Sequence, residues 1–395
     1  MKRAVITGLG AVTCMGHDVP SFWQKLIAGE GGIRPITKFD TTGYRNELAG
    51  VVTDWDFGRC GLGEAADTDE ATQFALAASQ EALTDAGLGP GDCDPARAGI
   101  VYSTNFGGAT SWEAFVEGGD PECFREFDFG RALHHAAEAF DFHGPCTLLS
   151  ISCASGGAAM GAAFDLIRYG RAEVMLAGGH DSLSPSSLSG LSILRTVSPT
   201  MIRPFDARRD GTLFGEGAAA VVLEEYERAR RRGATVYAEM LGYWQNNNAY
   251  HMTAPDKEGE GMVRVLARAL GDAAVDAREL DYINAHGTGT KYHDATEVKA
   301  IKEVLGQHAY DIPVSSIKGA VSHIMGGAGV IEAIATLLAM RDSVVPPTIN
   351  YGEPDPECDL DHVPNQAKEW PVKCAASISA GIGGSNSCVV MAREA

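Results

Sequence analysis

One plan of residues recurs along this sequence: a short apolar run, a cluster of small residues rich in glycine, then a longer run with helical spacing. Residues 150–167 (SISCASGGAAMGAAFDLI) and 315–338 (SSIKGAVSHIMGGAGVIEAIATLL) both follow it. An earlier pair, residues 82–108 and 267–290, reads twice as helix end, acidic connector, short apolar strand and glycine loop. The same two units in the same order predict an α/β chain of two pseudo-equivalent halves, residues 1–235 and 236–395, with no flexible linker between them. Apolar spacing predicts helices over 72–85, 156–168 and 261–270, and strands over 3–7, 172–177 and 218–223. Gly8 and Gly10 are expected to turn the chain after the first strand.

Charge and cysteine usage narrow the function. The chain carries 52 acidic against 32 basic residues, a net charge of −20, which argues against a generic nucleic-acid binder because phosphate would be repelled. No run approaches the ~18–20 apolar residues of a membrane span. The apolar start imitates a signal peptide, but Gly8, Gly10 and Gly16 interrupt it and no cleavage site follows. Nine cysteines without C-x-x-C spacing fit neither a disulfide framework nor structural zinc, and predict a reducing, cytoplasmic setting.

Four motifs carry chemistry. Cys153 follows a short apolar segment and precedes Ala154, Ser155, Gly156 and Gly157, the placement of a nucleophile on a tight strand-to-helix turn. The following helix is expected to favour the thiolate. His286 stands in NAHGTGT, where Thr288 and Thr290 could line a polar tunnel wall. His293 and Asp294 follow, with a spacing that matches no familiar metal signature. SSIKGAVSHIMGGAGVIEA holds Lys318 and His323, with Glu332 fourteen residues beyond the lysine as its expected counter-ion. SAGIGGSN supplies Gly381, Gly383 and Gly384 for close backbone approach. Thr13 stands where a dinucleotide fingerprint needs glycine, and there is no P-loop and no G-x-S-x-G. One activated cysteine with two histidines suggests thioester chemistry in which imidazole N–H groups stabilise an enolate.

These residues resemble the β-ketoacyl-[acyl-carrier-protein] synthases of the elongating class, in the thiolase superfamily. The likeness runs from VITGLGAVTCMG through FDTTGY, SCASG, VMLAGGHDSLSP, RPFDARRDGTLFGEGAAAVVLE, YINAHGTGT and SSIKGAVSHIMGGAGVIEA to PPTINYGEPDPECDLDHVP. It implies a thiolase-like fold, two α/β halves in a layered αβαβα architecture. It implies decarboxylative Claisen condensation of an acyl group with malonyl-acyl-carrier protein, in fatty-acid or type II polyketide or polyene elongation. Cys153 would accept the acyl group, and His286 and His323 would promote decarboxylation, supported by Lys318 and its partner Glu332. The backbone N–H groups of Cys153 and Ile382 would form the oxyanion hole, and Thr288 and Thr290 would hold the phosphopantetheine arm. That arm arrives on the substrate, so no resident cofactor and no metal are expected. The implied partners are acyl carrier protein and a second copy of the chain, or a chain-length factor in a heterodimer.

The sequence also departs from the family pattern. Ala380 and Ile382 replace two aromatic positions, and Phe106 stands where many relatives have a smaller residue. Phe106 and Ile382, flanked by Gly381 and Gly383, are therefore expected to form a relocated gate to the acyl pocket. The segment 194–203 is short, His293 replaces the usual glycine before Asp294, and Ser322 the glycine before His323. A degradative thiolase would need a second cysteine where Ala380 and Gly381 stand. A non-elongating chain-length-factor-like partner would lack Cys153. Arg203, Arg208, Arg209, Arg125 and Arg131 are the cations considered for carrier docking.

Overall fold

The computed structural model describes residues 1–65 and 67–394. Ten strands build its main sheet: β1 (Ala4–Val12), β2 (Ala98–Ser103), β3 (Cys146–Leu149), β4 (Val174–Asp181), β5 (Gly217–Glu225), β6 (Ala238–Asn247), β7 (Tyr282–Asn284), β8 (Val314–Ser315), β9 (Cys374–Ala380) and β10 (Ser385–Ala392). They pair in the order β8-β7-β9-β10-β6-β1-β5-β4-β2-β3. Numbered within its own set, each group of five follows the order 3-2-4-5-1 from edge to centre. In both sets the second strand runs parallel to the third and fourth, and the fifth runs antiparallel to its two neighbours. The sets meet where Ala4 and Ile6 of β1 lie opposite Met240 and Ala238 of β6.

Helices complete the layers. Ser155–Arg168 and Ala328–Asp342 touch each other and strands of both sets. The second is buried from Ala328 to Met340, and a helix apolar on every side belongs in a central layer. Glu70–Asp85 covers β1, β4 and β5 from outside, while Glu260–Ala273, backed by Lys291–Leu305, covers β6 and β10. The result is a layered succession of helix, five strands, helix, five strands and helix, the two five-stranded sets being joined through β1 and β6. Among the described residues, no helix is long and apolar enough to cross a membrane.

The first strand corrects one expectation. It does not turn at Gly8 and Gly10 but continues to Val12. Those glycines face helix Glu70–Asp85, where a Cβ would lie 2.0 Å from the Ala82 carbonyl oxygen or 1.9 Å from that of Ala78. Their role is to admit a helix backbone against a strand, a use of glycine that local sequence does not distinguish from a turn. A similar approach sets the central crossing. A Cβ on Gly156 would lie 2.9 Å from the Gly329 nitrogen, and one on Gly329 would lie 2.5 Å from that of Gly157. The two central helices therefore touch backbone to backbone near their starts, just after Cys153 in one chain segment and His323 in the other.

Candidate active site

Cys153 follows Ser152, which has φ +61°. The turn is tied by the Ser155 hydroxyl, which donates to the Ser152 carbonyl at 2.6 Å and accepts from the Ile151 N–H at 2.7 Å. Burial pushes the Cys153 thiol up, against the opposing pull of the Ser152 hydroxyl, the Lys318 charge and the Ile382 backbone N–H. Burial works against the expected preference for the thiolate: removal from water outweighs these three groups. The same Ile382 N–H, aimed at the sulfur, is available to an oxygen bound to a carbon on that sulfur. Gly381 lets its loop lie this close, since a Cβ there would be 2.9 Å from the Cys153 nitrogen.

Two imidazoles share the space. His286 and His323 meet edge to face, with ring centroids 5.4 Å apart and planes at 82°. His286 leaves the end of β7, and both oxygens of Glu297 receive the N–H groups of His286 and Gly287, at 2.7 and 2.8 Å. His323 is strapped by its own N–H to the Leu213 carbonyl at 2.8 Å and lies along Phe214, 5.7 Å between rings. Neither ring nitrogen of His323 has a hydrogen-bond partner among the described residues. Burial and then the Lys318 charge hold both histidines well below the ordinary imidazole range, so both are neutral near neutral pH.

Lys318 assigns the tautomer of His286. Its ammonium, 1% exposed, donates to the His286 carbonyl at 2.6 Å, sits 3.2 Å from His286 Nδ1 and is ion-paired with Glu332 Oε1. An ammonium can only donate, so Nδ1 accepts and the neutral ring carries its proton on Nε2. The Ser379 hydroxyl, 3.3 Å from Glu332 Oε2, completes this buried group.

A cavity of about 390 Å³ joins these parts: Cys153, His286, His323, Thr288, Thr290, Gly381 and Ile382 all line it. Thr288 and Thr290 place their hydroxyls 3.0 Å apart. Lys318 and Glu332 stand behind His286 rather than on the wall. Phe106 and Gly383 do not border this cavity. The Phe106 N–H is held by Asp181 Oδ1 at 2.9 Å and its ring packs on an apolar cluster that includes Leu188, Met325 and Phe214, of which Phe214 lies on the cavity lining. The cavity therefore has Ile382 on its wall without Phe106 facing it.

Several contributors were given no part in this site from sequence: Asp294 was weighed only as a metal ligand, and Glu297 and Asp181 were not named. Asp294 Oδ1 and Oδ2 receive the N–H groups of Thr288, Gly289 and Phe205, and Glu297 holds the turn before them. Burial pushes Asp294 up to about 6 and Glu297 up to about 8. Asp181 binds Thr104, Asn105, Phe106 and Gly326, tying β4 to the entry of the central helix. The available signal was an acid three residues after another, in the first turns of the helix behind a glycine loop. Of the cations considered for docking, Arg209 is buried against Asp355, Arg208 pairs with Asp206, Arg125 with Glu122 and Arg131 with Glu126. Arg203 donates to Thr200 and Met201. Arg195 and Lys291, which were not considered, are exposed and border the cavity.

Ser322 is held in an unusual state beside this site. With φ +67° and ψ −171° it occupies a region that is nearly restricted to glycine, and its buried hydroxyl has no partner among the described residues. Ser322→Gly is expected to raise unfolding stability by about 1 kcal/mol, strain relief and the lost unpaired hydroxyl outweighing the void and the added chain freedom. Urea midpoints of the two proteins check this; a lower midpoint in the variant would contradict it.

A neutral imidazole pair facing a buried thiol and a backbone N–H defines a site for acyl transfer coupled to carbon–carbon bond formation. Comparison with known proteins supports this class. Residues 1–229 match the family model described as beta-ketoacyl synthase, N-terminal domain, and residues 237–352 the corresponding C-terminal domain. The chain is 38% identical to the 3-oxoacyl-[acyl-carrier-protein] synthase 2 of Coxiella burnetii, covering 99% of each. Its structure is similar to that of a type II PKS ketosynthase solved with its acyl-carrier protein and bound to the hexaketide, at TM-score 0.93, 35% identity and 100% of both chains. It is also similar to the ishigamide ketosynthase/chain length factor, at TM-score 0.92, 36% identity and 100% of both chains. The chain belongs to the β-ketoacyl synthase family. It is an acyltransferase that performs the condensation step of chain elongation.

Proposed function

We propose that Cys153, His286 and His323 carry out a decarboxylative Claisen condensation between an acyl group and malonyl-acyl-carrier protein. The observation that carries this reading is their meeting, with Ile382, around one cavity. The Cys153 thiol attacks the acyl thioester, and its proton leaves with the released pantetheine thiol. Malonyl-carrier protein then enters, its arm lying along Thr288 and Thr290. Its carboxylate departs as CO2 while the N–H groups of His286 and His323 hold the enolate oxygen. The enolate carbon attacks the acyl carbon on Cys153, the N–H groups of Cys153 and Ile382 hold the new oxyanion, and the thiolate leaves and takes up a proton. Every step uses side chains and the substrates' own arms, so this mechanism calls for no resident cofactor and no metal.

The partner is an acyl carrier protein. Arg195 and Lys291 are placed to meet an acidic carrier at the cavity, although the chain as a whole is acidic. We assign the working assembly as a homodimer, with pairing to a chain-length factor as the second reading, which the name of the ishigamide relative favours. Two halves dividing at residues 235 and 236 fit the repeated strand order. A cytoplasmic location fits cysteines that are all free among the described residues.

Intact-mass measurement tests the reading. Incubation with a panel of straight, branched and unsaturated acyl-carrier proteins is expected to add one acyl group to the native chain and none to Cys153→Ala. No added mass with any donor would favour a chain-length-factor-like subunit. Added mass in Cys153→Ala would remove that residue from the role.

A further inference from the structure

The third imidazole at this site is His293, on the first turn of helix Lys291–Leu305. Its ring meets His286 edge to face, centroids 5.0 Å apart and planes at 68°, and it borders the same cavity as Cys153. Its Nδ1 is buried with no hydrogen-bond partner among the described residues, and the nearest carboxylate oxygen, Glu297 Oε2, is 4.0 Å away. Leaving such a nitrogen unpaired carries a desolvation cost that a glycine or alanine here would avoid. Burial, helped by the Lys318 charge, takes the ring down to about 4, so it is neutral beside two other neutral rings.

His286 needs this neighbour for a geometric reason. Lys318 fixes one atom, Nδ1, through a single 3.2 Å contact. One contact at the ring edge leaves rotation about the Cβ–Cγ bond restrained only by what touches the ring faces and the far edge. Two rings supply that restraint, His323 and His293. His323 is held along Phe214 and His293 by its place on the first helical turn, so the two rings brace His286 together and the loss of either loosens it.

We propose that His293 is a positioning residue for decarboxylation: its ring, packed on His286, holds the His286 Nε2–H on the enolate oxygen of the malonyl substrate. The inference rests on the condensation reading above. It assigns the contribution to ring packing and not to a hydrogen bond from His293.

Half-reactions separate the possibilities. In His293→Ala, malonyl-carrier protein decarboxylation is expected to fall roughly tenfold through kcat, a misplacement effect, while Cys153 acylation stays near the native rate. His293→Phe, which restores an edge-to-face ring without nitrogen, is expected to recover most of the lost rate, and His293→Gln is not. The 15N shifts of His286 should keep the Nε2-protonated pattern in both the Ala and the Phe variant, since Lys318 still meets Nδ1, so that a lost rate in the Ala variant reports ring placement and not a changed tautomer. Unchanged decarboxylation in His293→Ala, or rescue by Gln and not by Phe, would overturn the proposal. Thermal midpoints accompany each assay; a variant that fails to acylate is misfolded or speaks against the condensation reading, and the Phe variant then decides between them.

Discussion

Lys318→Met is expected to cost about 3–5 kcal/mol of stability, because it strands the Glu332 carboxylate in an interior where only the Ser379 hydroxyl reaches it. The His286 carbonyl loses its partner in the same step. Replacing both members, as Lys318→Met with Glu332→Leu, is expected to restore most of that stability, since a buried pair is often no better than well-packed apolar groups. Activity should not follow. Without the ammonium, nothing assigns Nδ1 of His286 as acceptor. The Lys318 charge also helps to hold His286 and His323 below the usual imidazole range. Removing it raises both, so at a given pH less of each ring is neutral, and the acid limb of decarboxylation moves to higher pH. Urea midpoints and a pH–rate profile of the double variant check the two halves of this expectation separately. A double variant that regained both stability and the native profile would show the pair to be structural only.

His323→Ala is the second large effect. One of two N–H donors to the enolate is lost, and removal of such a donor costs about 10²–10³ in rate. Decarboxylation of malonyl-carrier protein should fall by that factor, while Cys153 should still accept an acyl group. Acylation can survive because the oxyanion in that half-reaction is held by the Cys153 and Ile382 backbone N–H groups, which the substitution leaves in place. The sulfur's surroundings change little either, as burial dominates them and His323 makes no hydrogen bond to the thiol. Parallel assays of intact mass and CO2 release measure the two. Equal loss of both would mean that His323 acts on the thiol, and the division of roles proposed here would fail.

Much of the site was legible because its residues sit in local contexts that serve few other purposes. Cys153 lies on a strand-to-helix turn of small residues, His286 in a glycine and threonine loop, and Lys318 and His323 at a glycine-rich helix entry. Order along the chain tied them to one family. What stayed hidden depended on distant neighbours. Asp294 and Glu297 are ordinary acids of a helix until the fold turns the N–H groups at 286–289 toward them. Phe106 reads as a pocket residue from its place in STNFGG, yet Asp181 pins its backbone and the ring stands off the cavity wall, on the cluster that holds Phe214.

By itself the sequence determined the alternation of strand and helix, the repeated plan of the two halves and the candidate reactive side chains, because these follow from residue type and spacing over short stretches. Only the tertiary structure decided that Gly8 and Gly10 sit within a strand and that burial raises the Cys153 thiol. It also decided that His293 lies against His286. Each of these depends on which backbone or charge approaches from far along the chain and on how completely water is removed, and neither quantity is written in local sequence.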